Sequence, residues 1–222
     1  MSIWILTALL MTGDLSPEAR ARLAAFDRAV AESRRAYDGL GADATDRQRL
    51  EALLVRDQRP MSIASHEIDL SGLPEAERRE ARALVDAEID RLSDENVEAL
   101  LTMVPAEGWF SIAVYGEEAA TSAFLIVQHA DTALQKRFLP AIEAMANRGE
   151  ASKSFYAMMW DRVAVAEGRP QRWGTQMQCV DGFMRPFPTE DPERLEERRA
   201  PMGFRWPDYA GYLANFGACG SH

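Results

Sequence analysis

Histidine and cysteine are scarce: the chain has three histidines and two cysteines in 222 residues. Cys179 and Cys219 form no CxxC pair, which argues against a zinc site built on thiolates. There is no HExxH or HxH run, and one of the three histidines, His222, is the last residue of the sequence. No glycine-rich phosphate loop, dinucleotide fingerprint or GxSxG elbow is present. Positive charge is also short. The 25 Lys and Arg against 35 Asp and Glu give a formal charge of -10, which repels a phosphate backbone, so nucleic acid is not expected as a partner. The basic pairs Arg34-Arg35, Arg78-Arg79 and Arg198-Arg199 are interleaved with acids and read as solvated helix faces. Long apolar runs are missing too. The run from Ile3 to Met11 is shorter than the roughly 20 residues a spanning helix needs, so no stable membrane insertion is expected.

That run has the length of a signal-peptide core, yet no Lys or Arg precedes it and Met11-Thr12-Gly13-Asp14 is a poor small-x-small cleavage site. The reading is a cytoplasmic protein; the alternative is a periplasmic or secreted one, if residues 1–13 act as a signal segment. In that case Cys179 and Cys219 can form one disulfide.

What is present is ordinary for a soluble globular protein: 47% hydrophobic and 27% charged residues. The length suits one domain, or one domain with an appendage. Helix signals dominate. Ser16-Pro17-Glu18 starts a helix that ends at Gly39, and Thr45-Asp46 opens a second that finishes before Pro60. Residues 60–72 read as irregular. A charged helix restarts at Leu73-Pro74-Glu75 and runs to about Arg91, followed by an apolar set from Val97 to Val104 and the Gly108-Trp109 corner.

From Glu117 to Ala130 the pattern is apolar on nearly all sides, the mark of a helix buried in a bundle. Glu118, Ser122 and His129 form one polar stripe along it. Thr132 and Gln135 read as a capping box that turns the chain at Ala130-Asp131. On a continuous helix His129 and Asp131 would point about 200° apart; at a helix end they can converge. The following helix contains Pro140, which predicts a kink, and stops at Gly149. A further apolar helix opens at Ser152 or Ser154, runs to about Gly168 and carries Asp161-Arg162. Asp181-Gly182 predicts a short hairpin near residues 178–186. Asp191-Pro192 and Trp206-Pro207 start two terminal helices. The fold class expected is all-α, an orthogonal multi-helix domain with little or no strand, divided into residues 1–44, an N-terminal apolar segment and helix, and 45–222, the main helical domain.

The series Asp57-Gln58, Gly108-Trp109, Gln128-His129-Ala130-Asp131, Asp161-Arg162, Glu167-Gly168-Arg169-Pro170-Gln171, Trp173-Gly174-Thr175-Gln176 and Glu190-Asp191-Pro192 resembles a bacterial family catalogued as domain of unknown function 6624. The resemblance runs from about Asp46 to Leu213, with Trp173 in place of a tyrosine. It implies a shared fold and a shared polar set, and it supplies no activity.

The chemistry of these residues admits two readings. In the first the chain is a small hydrolase or transferase-like enzyme. His129 is the general acid or base, oriented by Asp131 or Asp161. Arg162 anchors an anionic group. Gln171, Thr175, Gln176, Trp173, Asp57 and Gln58 contact a small-molecule or peptide substrate. No cofactor is required, although His129 and Asp131 with Asp57 or Asp161 have the ligand chemistry for a divalent metal. In the second reading the chain is a non-catalytic peptide- or protein-binding module. His129 is then a core histidine, Asp161-Arg162 ties helices together, and the loop glutamines satisfy their own backbone. A cleft reaching His129 would favour the enzyme; a sealed, mutually bonded cluster would favour the module.

Overall fold

The computed structural model describes residues 15–206 and 208–219. The apolar run at Ile3 to Met11, Pro207 and His222 lie outside them. The protein is mostly α-helical, with 66% of residues in helix and, among the described residues, nine α-helices and one two-stranded sheet. It forms two compact units, Met1–Ala99 and Leu100–His222.

The first unit is built on α1 (Pro17–Asp38), α2 (Asp46–His66) and α3 (Glu75–Leu101), whose last two residues belong to the second unit. Ser16 caps α1 by accepting from the Ala19 N–H, and Thr45 and Gln48 form a capping box on α2. The apolar spacing of α1 buries Ala19, Leu23, Phe26 and Val30 against Ile63 and Ala64 of α2 and Ala81, Val85 and Leu92 of α3. Two expectations are corrected here. The helix expected to stop before Pro60 continues through it to His66. Pro60 is buried, so packing along a 21-residue helix offsets the missing N–H, which costs about 3 kcal/mol in a helix interior. Likewise the charged helix does not end near Arg91 but runs unbroken to Leu101, because no Gly or Pro interrupts it.

The second unit contains a short α4 (Ile112–Tyr115), α5 (Glu117–His129), α6 (Thr132–Arg148) and α7 (Lys153–Ala166). Gly116 ends α4 and begins α5 at φ 82°, a conformation that a side chain would oppose. As its sequence predicts, α5 is enclosed: Ala119, Ala120, Ser122, Ala123, Phe124, Ile126, Val127 and Gln128 are buried. Phe124 stacks on Phe155 of α7 with ring centroids 4.2 Å apart, and Phe138 of α6 meets Trp109 at 5.3 Å. Lys136 and Glu167 bridge at 2.5 Å, so the second turn of α6 lies beside the end of α7.

A hairpin follows, β1 (Met177–Val180) paired antiparallel with β2 (Phe183–Pro186). Asp181 and Gly182 both have positive φ, 51° and 78°, the requirement of a two-residue hairpin turn and the reason Asp-Gly suits it. Cys179 on β1 is joined to Cys219 by a disulfide. A 3₁₀ turn at Pro192–Arg194 leads into α8 (Leu195–Arg199), and α9 (Tyr209–Leu213) is capped by Asp208. Among the described residues no helix is long and apolar enough to cross a membrane.

Candidate functional site

Asp161 projects from α7 with no exposed surface. Its carboxylate accepts from the backbone N–H of Arg172 (2.6 Å), of Trp173 (3.1 Å to each oxygen) and of Thr175 (3.0 Å), and from the Thr175 hydroxyl (3.0 Å). Carboxylates hold such converging N–H donors strongly because each bond is charge-assisted. The result is a loop, residues 171–176, folded around one buried acid. Burial raises the Asp161 carboxyl above the usual range, while the four donor groups pull the other way.

Gln171 closes the same loop. It is fully buried, and its amide donates to the carbonyls of Gln176 (3.0 Å) and Phe187 (2.9 Å) and accepts from the Gln176 N–H (2.8 Å). Gln176 in turn donates to the Thr175 hydroxyl at 3.0 Å. Trp173 is buried, its indole N–H bonded to the Arg198 carbonyl and its ring set edge-on to Tyr156 and Trp160. These are the bonds of a loop that satisfies its own backbone, which buried irregular chain must do.

Sequence reasoning missed the other half of the cluster. Arg198-Arg199, expected on a solvated face, is instead a clasp. Arg199 is 2% exposed and donates to the Trp173 carbonyl at 2.7 Å. Its guanidinium carbon sits 4.3, 5.1 and 5.0 Å from the ring centroids of Phe204, Tyr209 and Tyr212, a cation–π enclosure. Arg198 donates to the carbonyls of Arg172 and Asp191. Residue Trp173 thus lies between two buried charges, its N–H turned to Asp161 and its C=O to Arg199. Tyr212 donates to the Thr175 carbonyl at 2.7 Å. The signal was the placement of aromatics at 204, 206, 209 and 212 after the arginine pair, which carried no motif.

Glycine is required at 174. Its φ is 71°, and a Cβ there would stand 2.7 Å from the Tyr209 hydroxyl oxygen and 2.8 Å from its ring.

The remaining predicted residues stand on α2, on α5, on α7 and at the start of α6. His129 is the last residue of α5 and is partly exposed. Asp131 is exposed and, rather than Thr132, is the cap of α6: its Oδ1 accepts from the Leu134 N–H at 2.7 Å. Gln135 makes no capping box; buried, it donates from Nε2 to the carbonyls of Gln128 (3.0 Å) and Ala130 (2.8 Å). An aspartate accepts at an N-cap better than a threonine one position later, and Gln135 is freed to close the turn. Arg162 is half-buried on α7, with its Nε lacking a partner and its pKa lowered by burial. Asp57 and Gln58 belong to the first unit, where Gln58 donates to Asp57 at 2.6 Å. Among the described residues, no group of three or more His, Cys, Asp or Glu is placed to hold a metal ion.

Residues 61–215 match the model of the family of unknown function DUF6624, and the chain belongs to that family. The match begins after Asp57 and Gln58 and covers the whole Asp161 cluster. No curated protein and no solved structure matches the chain.

Proposed function

We propose that this family member is a non-catalytic module that binds a peptide or small molecule, and that the Asp161 cluster is its scaffold rather than a reaction centre. One observation carries the reading: the Asp161 carboxylate is engaged by four donor groups of its own loop. A carboxylate that orients a catalytic histidine or activates water must keep an acceptor site for it. Gln171 and Thr175, whose side chains would otherwise hold substrate, are buried in the same network.

The hydrolase or transferase-like reading retains one support of its own, the partial exposure of His129 two residues from the exposed Asp131. A thermal-shift screen over metals, nucleotides, amino acids and peptides separates the two, run on the wild type and on His129→Ala. The module predicts a saturable shift with the ligand recovered unchanged. Conversion of the ligand, abolished in His129→Ala at unaltered stability, would overturn it.

For the compartment, the Cys179–Cys219 disulfide favours the periplasmic or secreted alternative over the cytoplasmic one, since such bonds persist where the medium is oxidising. The binding reading calls for no cofactor.

A further inference from the structure

We propose that Arg162, near the end of α7, anchors a site for a carboxylate ligand. The inference rests on the binding-module reading and names the chemistry of its ligand. Arg162 is half-buried, and among the described residues it has no hydrogen bond, ion pair or aromatic ring against its guanidinium. Burial lowers its pKa, and no acid supports the charge. Arg56 and Arg199 are pushed down by burial too, but both are compensated. Arg56 donates to Asn96 and lies over Tyr37, while Arg199 donates to the Trp173 carbonyl inside its cage of rings. A desolvated guanidinium left without partners is costly, and an anion is the group that neutralises it. Of its three nitrogens only Nε is sealed; Nη1 and Nη2 keep access to solvent, so a ligand can reach them.

Helix connections fix where Arg162 stands. Lys136 of α6 meets Glu167 just past α7, and Glu143, further along α6, accepts from the Tyr156 hydroxyl of α7 at 2.7 Å, so the two helices run antiparallel. The turn at Ala130 and Asp131 sets the end of α5 at the start of α6. Arg162, one turn before α7 ends at Ala166, therefore shares its end of the unit with the partly exposed His129 and the exposed Asp131. Three and four residues away on α7 stand Met158, Met159, Val165 and Ala166, all apolar, so no acid on that face of the helix competes for the guanidinium. Its two terminal nitrogens present parallel N–H bonds in one plane, the match of a carboxylate fork. Phosphate is disfavoured: Lys136 is paired with Glu167 and no second cation acts on Arg162, so a single positive charge faces the ligand and suits a monoanion.

Sodium butyrate and N-acetylalanine, the neutral amide of each, sodium phosphate and sodium chloride are the probes, at matched ionic strength, read from the arginine Nε–Hε signals by NMR on the full chain. Both carboxylates are expected to move the Arg162 signal saturably, and the amides and sodium chloride to leave it. The tighter of the two carboxylates tells a free acid from a peptide C-terminus. Arg162→Lys should weaken both about tenfold, because a point charge replaces a fork, and Arg162→Met should abolish binding. No saturable shift, an amide that binds as well as its acid, phosphate binding more tightly than both carboxylates, or an Arg162→Met variant that binds like the wild type would each overturn the proposal. Should Arg162→Met fail to fold, Arg162→Lys and the wild-type titration still decide. A failed titration strikes the carboxylate site and leaves the ligand screen on the whole module standing. A positive titration alongside conversion of the ligand in that screen strikes the module reading and keeps the site.

Discussion

Two buried charges in this protein are compensated in different ways. In the first unit Arg56, 5% exposed, donates to the Asn96 side chain at 2.6 Å and the Glu95 carbonyl at 3.2 Å, and lies 4.2 Å over the Tyr37 ring. Every partner stands on a helix, so the contact is set by the register in which the helices pack. In the second unit Asp161 is bonded to the backbone of a loop that has no repeating hydrogen bonds of its own. The first charge decorates a structure that helix packing already specifies; the second creates the structure it is buried in. Removing each should therefore have unequal consequences.

Asp161→Ala should have the largest effect. It leaves three buried N–H groups and one hydroxyl without an acceptor and strips Arg199 of the nearby opposite charge. At roughly 1–3 kcal/mol for each orphaned group, a loss of at least about 4 kcal/mol is expected in urea denaturation. Amide exchange should accelerate first at residues 171–176. Gly174→Ala comes next, at about 2–3 kcal/mol, from a left-handed φ combined with a Cβ driven into the Tyr209 ring. If either variant is near neutral, the loop is not organised by this cluster.

Arg56→Met tests the other side. It leaves the Asn96 oxygen unpaired, for an expected cost of about 1–3 kcal/mol. Adding Asn96→Leu should recover most of the loss, because a well-packed apolar pair can replace a buried polar one. No apolar double replacement should rescue Asp161→Ala, whose partners are main-chain groups.

The same contrast governs what could be read from the sequence. The helices were legible wherever caps and periodicity act locally: Ser16, Thr45 and Ser152 at starts, Gly39 and Gly149 at ends, and Asp181-Gly182 at the hairpin. Pro60 misled because burial along a long helix outweighed a local rule. The Thr132 cap misled because Asp131, one residue earlier, fits the position better. In the cluster, the grouping of Asp161 with Gln171, Trp173, Thr175 and Gln176 was legible as an ordered motif. Arg199, Tyr209 and Tyr212 were not, since they act on carbonyls and rings at long sequence separation and such contacts leave no spacing to detect.

The smallest effect belongs to Tyr209→Phe, and its sign is the informative part. The Tyr209 hydroxyl is buried without a partner, unlike that of Tyr212, which donates to Thr175. Deleting it removes an unsatisfied polar group and keeps the ring against Arg199 and Gly174, so stability at neutral pH should stay level or rise by up to about 1 kcal/mol. Burial raises the Tyr209 phenol from 10.0 to about 12. With the folded value above the unfolded one, stability does not depend on this group below pH 10 and is lost as pH climbs from 10 towards 12, where the unfolded phenol ionises before the folded one. Tyr209→Phe should therefore flatten part of the alkaline decline in melting temperature over that window, leaving the share of Tyr212, which burial raises as well. A variant that loses stability at pH 7 would show that the hydroxyl has a partner in solution and that the loop network extends one bond further than the Asp161–Arg199 core.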